Sequence, residues 1–527
     1  MLRLLAALVL LAPAALAQDT LLTRAEATDY RATSTYADVT AFVERIAERP
    51  GFHLTTFGET VEGRALPLVV WGEETTEPEA VRSNGKLRVL VFANIHAGEV
   101  AGKEAVLMLL RAMAAGEHAA WADSLTLLFA PIYNADGNER LDPRNRPFQH
   151  GPVDGMGTRA NAQGLDLNRD FVKLDAPESR ALVGLFNDYD PHVIVDLHTT
   201  NGTIHGYHLT YAPPLHPSTP AAIDRLLRNH WLPDVTEVYK TKYGWDLTYY
   251  GNDKPEWGQP SGWATFDPRP RFGTNLAGLR NRVGILSEVY SYATFEDRVL
   301  ASLRFVVETL DWAHAHAGAV RSAVYAAESE PVVGAPLAMR TAGRWVEEED
   351  PAPVLLGEVV EEPNPHTGEP MYRRTDAQTP TAMPVLGRFA FGEPVAAPAA
   401  YLVPADQEEA VERLRWHGVE MEALAEDAVV EAEVFTVDSV RTAERAFQGR
   451  YEQELVGRYT SATVTVPAGT LVVPVEQPLG RLAAILLEPR SDSGLAGWGL
   501  IGAEAGGTYP VHRVTDPAAA RRLIGAE

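Results

Sequence analysis

Up to about residue 316, short and nearly unbroken apolar runs alternate with amphipathic stretches. The segments LPLVVWG, KLRVLVFAN and LTLLFAPIYN read as strands too apolar to face water on either side, and HVIVDLHTT (192–200) and VGILSEVYS (283–291) read as two more. A run with helical spacing fills 102–115, and DVTAFVERIAE (38–48) puts Val39, Phe42, Val43 and Ile46 on one face of a short helix, with Asp38 as its cap. Buried strands alternating with helices predict an α/β sheet covered on both faces.

From about residue 317 the pattern changes. Residues 329–400 are rich in Pro and Glu, with turn signals such as NPHTGEP. A strand, a helix stopped by Gly418 and another strand follow, and the end alternates short strands and turns, as in TSATVTVPAGTLVVPV. With 527 residues the chain exceeds the usual single domain. The predicted division is a catalytic domain over 18–316 and a smaller β-rich or α+β accessory region over 317–527.

The first residues, MLRLLAALVLLAPAALAQDT, carry one Arg, an apolar stretch from Leu4 to Leu11 and a small-x-small site at Ala15-Leu16-Ala17. This is the pattern of a cleaved secretory signal over 1–17, with the mature chain starting near Gln18. The stretch is far short of the ~20 residues of a membrane span. An exported protein, periplasmic or secreted and without a stable membrane span, is therefore expected. The interval between Gln18 and the first helix leaves no room for a folded inhibitory segment, so synthesis in active form is predicted. The chain has no Cys, so any metal site must use His and carboxylates. Its formal charge of −25 argues against nucleic acid as a partner, because phosphate binding needs concentrated Lys and Arg.

Candidate chemistry sits at the ends of the predicted strands. His96 and Glu99 lie three apart where a strand gives way to a helix, a place where ligands meet an α/β sheet. Such a pair is common by chance and needs a third ligand, which His198 in Asp196-Leu197-His198 can supply. The segment GTRANAQGLDLNRDF (157–171) breaks both periodicities and reads as a loop over a site. Its Arg159 and Arg169 can grip a carboxylate with a two-pronged contact. Glu288 follows an apolar strand, and a buried carboxylate needs a partner or a metal.

In this order the pieces resemble the zinc metallocarboxypeptidase family, which includes carboxypeptidases A, B, D and E. The family pattern is H-x-x-E, an Arg, an Asn-Arg pair in a D-L-N-R-x-F segment, a distal His and a late strand-borne Glu, here spread over roughly residues 25–316. The resemblance implies a mixed central sheet flanked by helices, with one zinc ion per catalytic domain bound by His96, Glu99 and His198. It implies that Arg159 polarises the scissile carbonyl, that Asn168 and Arg169 hold the terminal carboxylate of a peptide substrate, and that Glu288 is the general base.

The family's substrate-facing Tyr has no counterpart at the expected place, where Phe266 stands; Tyr249, Tyr250 and Tyr290 are the nearest. Arg269, Arg271, Arg280 and Arg282 are expected to pair with surface acids. His205 and His208 are expected to support the cleft, and Asp136-Gly137 in NADGNER to form a turn. Two other readings remain: a zinc amidase or deacylase acting on cell-wall peptides or N-acyl amino acids, and a non-catalytic peptide- or glycan-binding protein. Glu288 disfavours the second, because a binder has no chemical need for a base.

Overall fold

The computed structural model describes residues 21–200, 202–253, 261–348 and 353–525, so the signal-like segment 1–17 lies outside the described residues. An eight-stranded mixed sheet forms the centre: β1 (Phe52–Glu59), β2 (Ala65–Trp71), β3 (Leu87–Ala93), β4 (Leu125–Ala130), β5 (Val193–Thr199), β6 (Leu209–Ala212), β7 (Leu247–Tyr249) and β8 (Val283–Val289). Their spatial order is β1-β2-β4-β3-β5-β8-β6-β7. The middle of the sheet, β4-β3-β5-β8, is parallel, while β2 joins it on one side and β6 on the other in antiparallel fashion. Every residue of β3, β4 and β5 is buried. That is why these strands read as continuous apolar runs: helices cover both faces of a parallel sheet.

The first predicted helix spans Tyr36–Ala47 and buries Val39, Phe42, Val43 and Ile46 as its spacing requires. Its cap is Thr35, not Asp38. Thr35 Oγ1 accepts the Asp38 amide at 3.2 Å, and Asp38 accepts the Thr35 amide at 2.9 Å, a reciprocal capping box. The helix after β3 runs Ala101–Ala114, and Phe295–Ala315 and Ala317–Glu328 follow β8. Val320, Val324 and Ala327 of the last helix join the main core.

Beyond it, Pro353–Pro363 and Pro370–Ala382 pair as an antiparallel hairpin across the predicted NPHTGEP turn. A second sheet of six strands follows, in the order Glu422–Ala423, Leu471–Pro474, Ala400–Val403, His512–Val514, Ala428–Thr442 and Gln453–Val466. Gly418, with φ +78°, ends the helix Glu408–His417. The two longest strands of this sheet, 15 and 14 residues, form one arm where the sequence suggested only short strands. Its partly polar, half-exposed positions hide the length of the pairing. Among the described residues, no helix is long and apolar enough to cross a membrane.

Candidate active site

The C-terminal ends of three neighbouring parallel strands meet at one point. Ala93 at the end of β3 pairs with Leu197, and His198 of β5 pairs with Glu288 of β8. After β3, Asn94 takes a left-handed conformation at φ +67°, and this reversal brings His96 back over the strand ends. His96, Glu99 and His198 are all buried, and one ligand atom of each lies within 4.8 Å of the others. His96 Nδ1 lies 3.0 Å from Glu99 Oε1, and His198 Nδ1 lies 2.9 Å from Glu99 Oε2. The two Nδ1 atoms are 3.2 Å apart. Two nitrogens bound tetrahedrally at zinc–nitrogen distances would be separated by about 3.3 Å, so the donor set and its spacing fit that ion.

Each histidine turns its other nitrogen to a carboxylate. His96 Nε2 lies 3.0 Å from Asp166 Oδ1, and His198 Nε2 lies 2.9 Å from Asp196 Oδ2. The second contact is an ion pair outside hydrogen-bond geometry, since neither Asp196 oxygen finds a hydrogen-bond partner among the described residues. Burial opposes a charge on His198, yet Asp196 and Glu99 hold its pKa well above the usual histidine range. Burial also opposes charge on Glu99, and His96 and Arg146 together keep its carboxyl well below the usual range.

Asp166 is the hub of the neighbouring loop. It accepts Arg159 Nε at 2.9 Å and caps the short turn Leu167–Arg169 through the Asn168 amide at 2.9 Å. Arg159 NH1 in turn lies 3.3 Å from His96 Nδ1. Asn168 Oδ1 accepts the Gly273 amide at 3.1 Å, and its Nδ2 lies 3.4 Å from His198 Nε2. The Arg169 guanidinium rests on the Phe272 ring, 4.1 Å from its centre, and comes no nearer than 3.9 Å to Asp166. Such a cation can take a carboxylate without first breaking a close ion pair.

Glu288 faces the same point. Its Oε2 is out of solvent contact and has no hydrogen-bond partner among the described residues. Burial pushes its carboxyl up to about 8, with Glu99 and Asp196 adding to the effect and His198 and Arg159 opposing it.

The structure thus brings together all seven residues that the sequence singles out. It also adds Asp166 and Asp196, which lay inside the quoted motifs, and Arg146, which no motif signalled. Arg146 NH2 donates to Glu99 Oε1 at 2.6 Å. It can do so because residue 98 is glycine: a Cβ there would lie 2.8 Å from the Gly157 carbonyl and 3.1 Å from Arg146 Nε. The Gly in HAGE was the only available hint.

Three expectations change or sharpen. Arg271, Arg280 and Arg282 are buried rather than surface cations. Arg271 pairs with Glu452 and Arg282 with Asp190 and Glu328, while Arg280 donates to the His417 carbonyl and to Asn187. His205 packs against Tyr290, and His208 Nε2 contacts Arg374 NH1 at 2.6 Å; neither joins the metal-ligand group. Asp136 lies in a helical turn but is fully buried and takes Arg64 NH1 at 2.6 Å. Phe266 contacts Tyr250 edge-on and packs on Phe272, the ring beneath Arg169.

Residues 39–241 match the zinc carboxypeptidase family. This span holds every residue named above as a ligand or substrate contact, and Glu288 lies beyond it. Carboxypeptidase 2 of Trichophyton tonsurans is 25% identical over 504 residues, covering 90% of this chain and 85% of that protein. Carboxypeptidase E of Caenorhabditis elegans is 32% identical over 151 residues, covering 26% and 30%. Among solved structures, a metallo-carboxypeptidase from Burkholderia cenocepacia overlaps 54% of this chain and 70% of that one, at 18% identity and a TM-score of 0.41.

Proposed function

We propose that this chain, whose residues 39–241 match the zinc carboxypeptidase family, is a metallocarboxypeptidase that removes single residues from the C-terminus of peptides or proteins. In this reading one zinc ion is held by His96, Glu99 and His198. The observation that carries it is the convergence of two histidines and a carboxylate on one point, with Glu288 Oε2 on the adjoining strand lacking a hydrogen-bond partner among the described residues. The ion, when bound, would supply Lewis acidity at the reacting carbonyl and water.

The protein side follows from the geometry. Glu288, with its pKa near neutrality, is suited to accept the proton of the attacking water and pass it to the leaving amine. Arg159, fixed by Asp166, would meet the negative charge that develops on the carbonyl oxygen and so favour the transition state over the ground state. Asn168 and Arg169 would bind the terminal carboxylate. An internal peptide segment would leave Arg169 unpaired, which restricts cleavage to chain ends. Residues 18–316 would form the catalytic domain and 317–527 the accessory region, and the N-terminal pattern supports export to the periplasm or medium.

The test is digestion of a mixed peptide library by the zinc-loaded protein, read by mass spectrometry, with Glu288→Gln as control. Loss of single C-terminal residues by the wild type alone is expected. No cleavage with zinc bound would move the reading to amides whose acid product mimics a C-terminus.

A further inference from the structure

The arm formed by Ala428–Thr442 and Gln453–Val466 does not end in solvent. Phe447 and Arg450 exchange backbone hydrogen bonds at 2.8 and 3.1 Å, and between them Gln448 and Gly449 both take left-handed conformations, φ +52° and +81°. This tight hairpin turn puts the Gln448 side chain at the extreme tip. There its Oε1 accepts the backbone amide of Asp166 at 2.7 Å, a contact between residues 282 apart in sequence.

The contact falls on a sensitive atom. Asp166 is 7% exposed, and its carboxylate is committed to His96, Arg159 and the Asn168 amide. Among the described residues, Gln448 is the acceptor for its amide, and a buried amide without an acceptor is costly. Neighbouring contacts aim the tip at the same end of the cleft. Arg450 grips Asp175 with Nε and NH2 at 2.7 and 2.8 Å, and Glu452 takes Arg271 NH2 at 2.5 Å. Arg271 belongs to the loop that leads to Phe272 and Gly273, which support Arg169 and Asn168. The tip therefore fastens the loop that carries the candidate substrate-binding pair and the loop that supports it.

We infer that the C-terminal region completes the active site, with Gln448 as a positioning residue that holds Asp166 and, through it, Arg159 and His96. The inference rests on the carboxypeptidase reading above. It gives the accessory region a part in turnover: a module with no role at the site has no need to satisfy the backbone of the residue that orients a metal ligand and a catalytic arginine.

The test compares Gln448→Asn with Gln448→Glu in the full-length, zinc-loaded protein. Asn suits the left-handed turn but is one methylene too short to reach, whereas Glu keeps the reach and an acceptor oxygen. Two quantities are read: kcat and KM on a peptide substrate, and hydrogen–deuterium exchange of the segment 157–171. For Gln448→Asn, kcat falls roughly tenfold with KM little changed, and the segment exchanges faster by a similar factor, as expected for one lost buried hydrogen bond. Gln448→Glu stays near wild type in both. Wild-type behaviour of Gln448→Asn would overturn the inference, and so would equal damage by both variants, which would mark a general disturbance of the tip. A wild type without peptidase activity would instead overturn the carboxypeptidase reading, and the exchange comparison would still decide the role of Gln448.

Discussion

Asp196 and His198 occupy alternate positions of one strand, so both side chains leave the same face, and the Asp196 carboxylate ends behind the ring. A carboxylate there raises the basicity of the His198 imidazole, while Asp166 holds the His96 ring with Nδ1 turned to the candidate metal position. Asp196→Asn preserves the shape and removes the charge. It is expected to weaken zinc binding by roughly ten- to hundredfold, measured by competition with a chelator at fixed pH. An unchanged affinity would remove Asp196 from the metal centre. Asp166 cannot be tested so cleanly, because it also fixes Arg159 and the Asn168 turn. At this scale spacing and strand ends singled out His96, Glu99, His198 and Glu288 as candidates, and the family resemblance supplied their expected roles. The sequence could not say which acid stands behind which ring, because Asp166 and Asp170 flank the same Leu-Asn-Arg and differ only in direction. Asp170 turns away to a buried Lys173.

The hairpin of Pro353–Pro363 and Pro370–Ala382 acts as a clamp on the loop that carries Arg146. Tyr372 stacks on Phe148 with ring centres 5.3 Å apart and donates its amide to the Phe148 carbonyl at 2.9 Å. Beside it, His150 meets Glu362 at 2.9 Å, and Arg374 donates its amide to the Tyr292 carbonyl just past β8. The clamped loop, NERLDPRNRPFQH, is rich in arginine and partly exposed, so trypsin can report its opening. Tyr372→Ala removes an aromatic pair worth about 0.5–1.5 kcal/mol. Cleavage within 139–150 should therefore speed up by several-fold up to about tenfold. Identical digestion of variant and wild type would show that the hairpin does not hold the loop. Elements were legible where the physics is local. β3, β5 and β8 are buried on both faces and their apolar runs announce them, whereas β1, FHLTTFGE, is a half-exposed edge strand whose polar residues concealed it. The helix Tyr36–Ala47 was found from its apolar face, but its cap was misplaced by three residues because Thr35 and Asp38 cap each other.

Among the described residues, five histidines are held as neutral rings: His205, His216 and His417 are buried, and His192 and His208 are half-buried. Burial is the main cause for each, and nearby cations add to it: Arg88 and Arg282 for His192, Arg374 for His205, Arg374 with Lys240 for His208, Arg481 for His216 and Arg280 for His417. All five pKa values are lowered to about 3. Several of them sit where the two halves of the chain join. His417 Nε2 meets the Val172 carbonyl at 3.1 Å, and His208 meets Arg374 of the clamp. These contacts join positions 245 and 166 residues apart, which is why local pattern revealed strands in the C-terminal region but not its seat on the active-site loops. The sign of the pH effect follows directly. Below pH ~6.5 the unfolded chain binds protons that the folded one refuses, so stability is fully present above that value and is lost as pH falls toward 3. Each ring contributes up to about 1.4 kcal/mol per pH unit in that window. Asp175, held at about 2 mainly by Arg450 and Lys173 against the effect of burial, adds a further loss only at still lower pH. The unfolding temperature is therefore expected to drop steeply between about pH 6.5 and pH 5, with several protons taken up on unfolding in calorimetry across buffers of different ionisation enthalpy. Equal unfolding temperatures at both ends of that window, or an uptake of less than about one proton, would mean that these rings are not held neutral. The loss should begin at the junction of the two halves, before the central sheet unfolds.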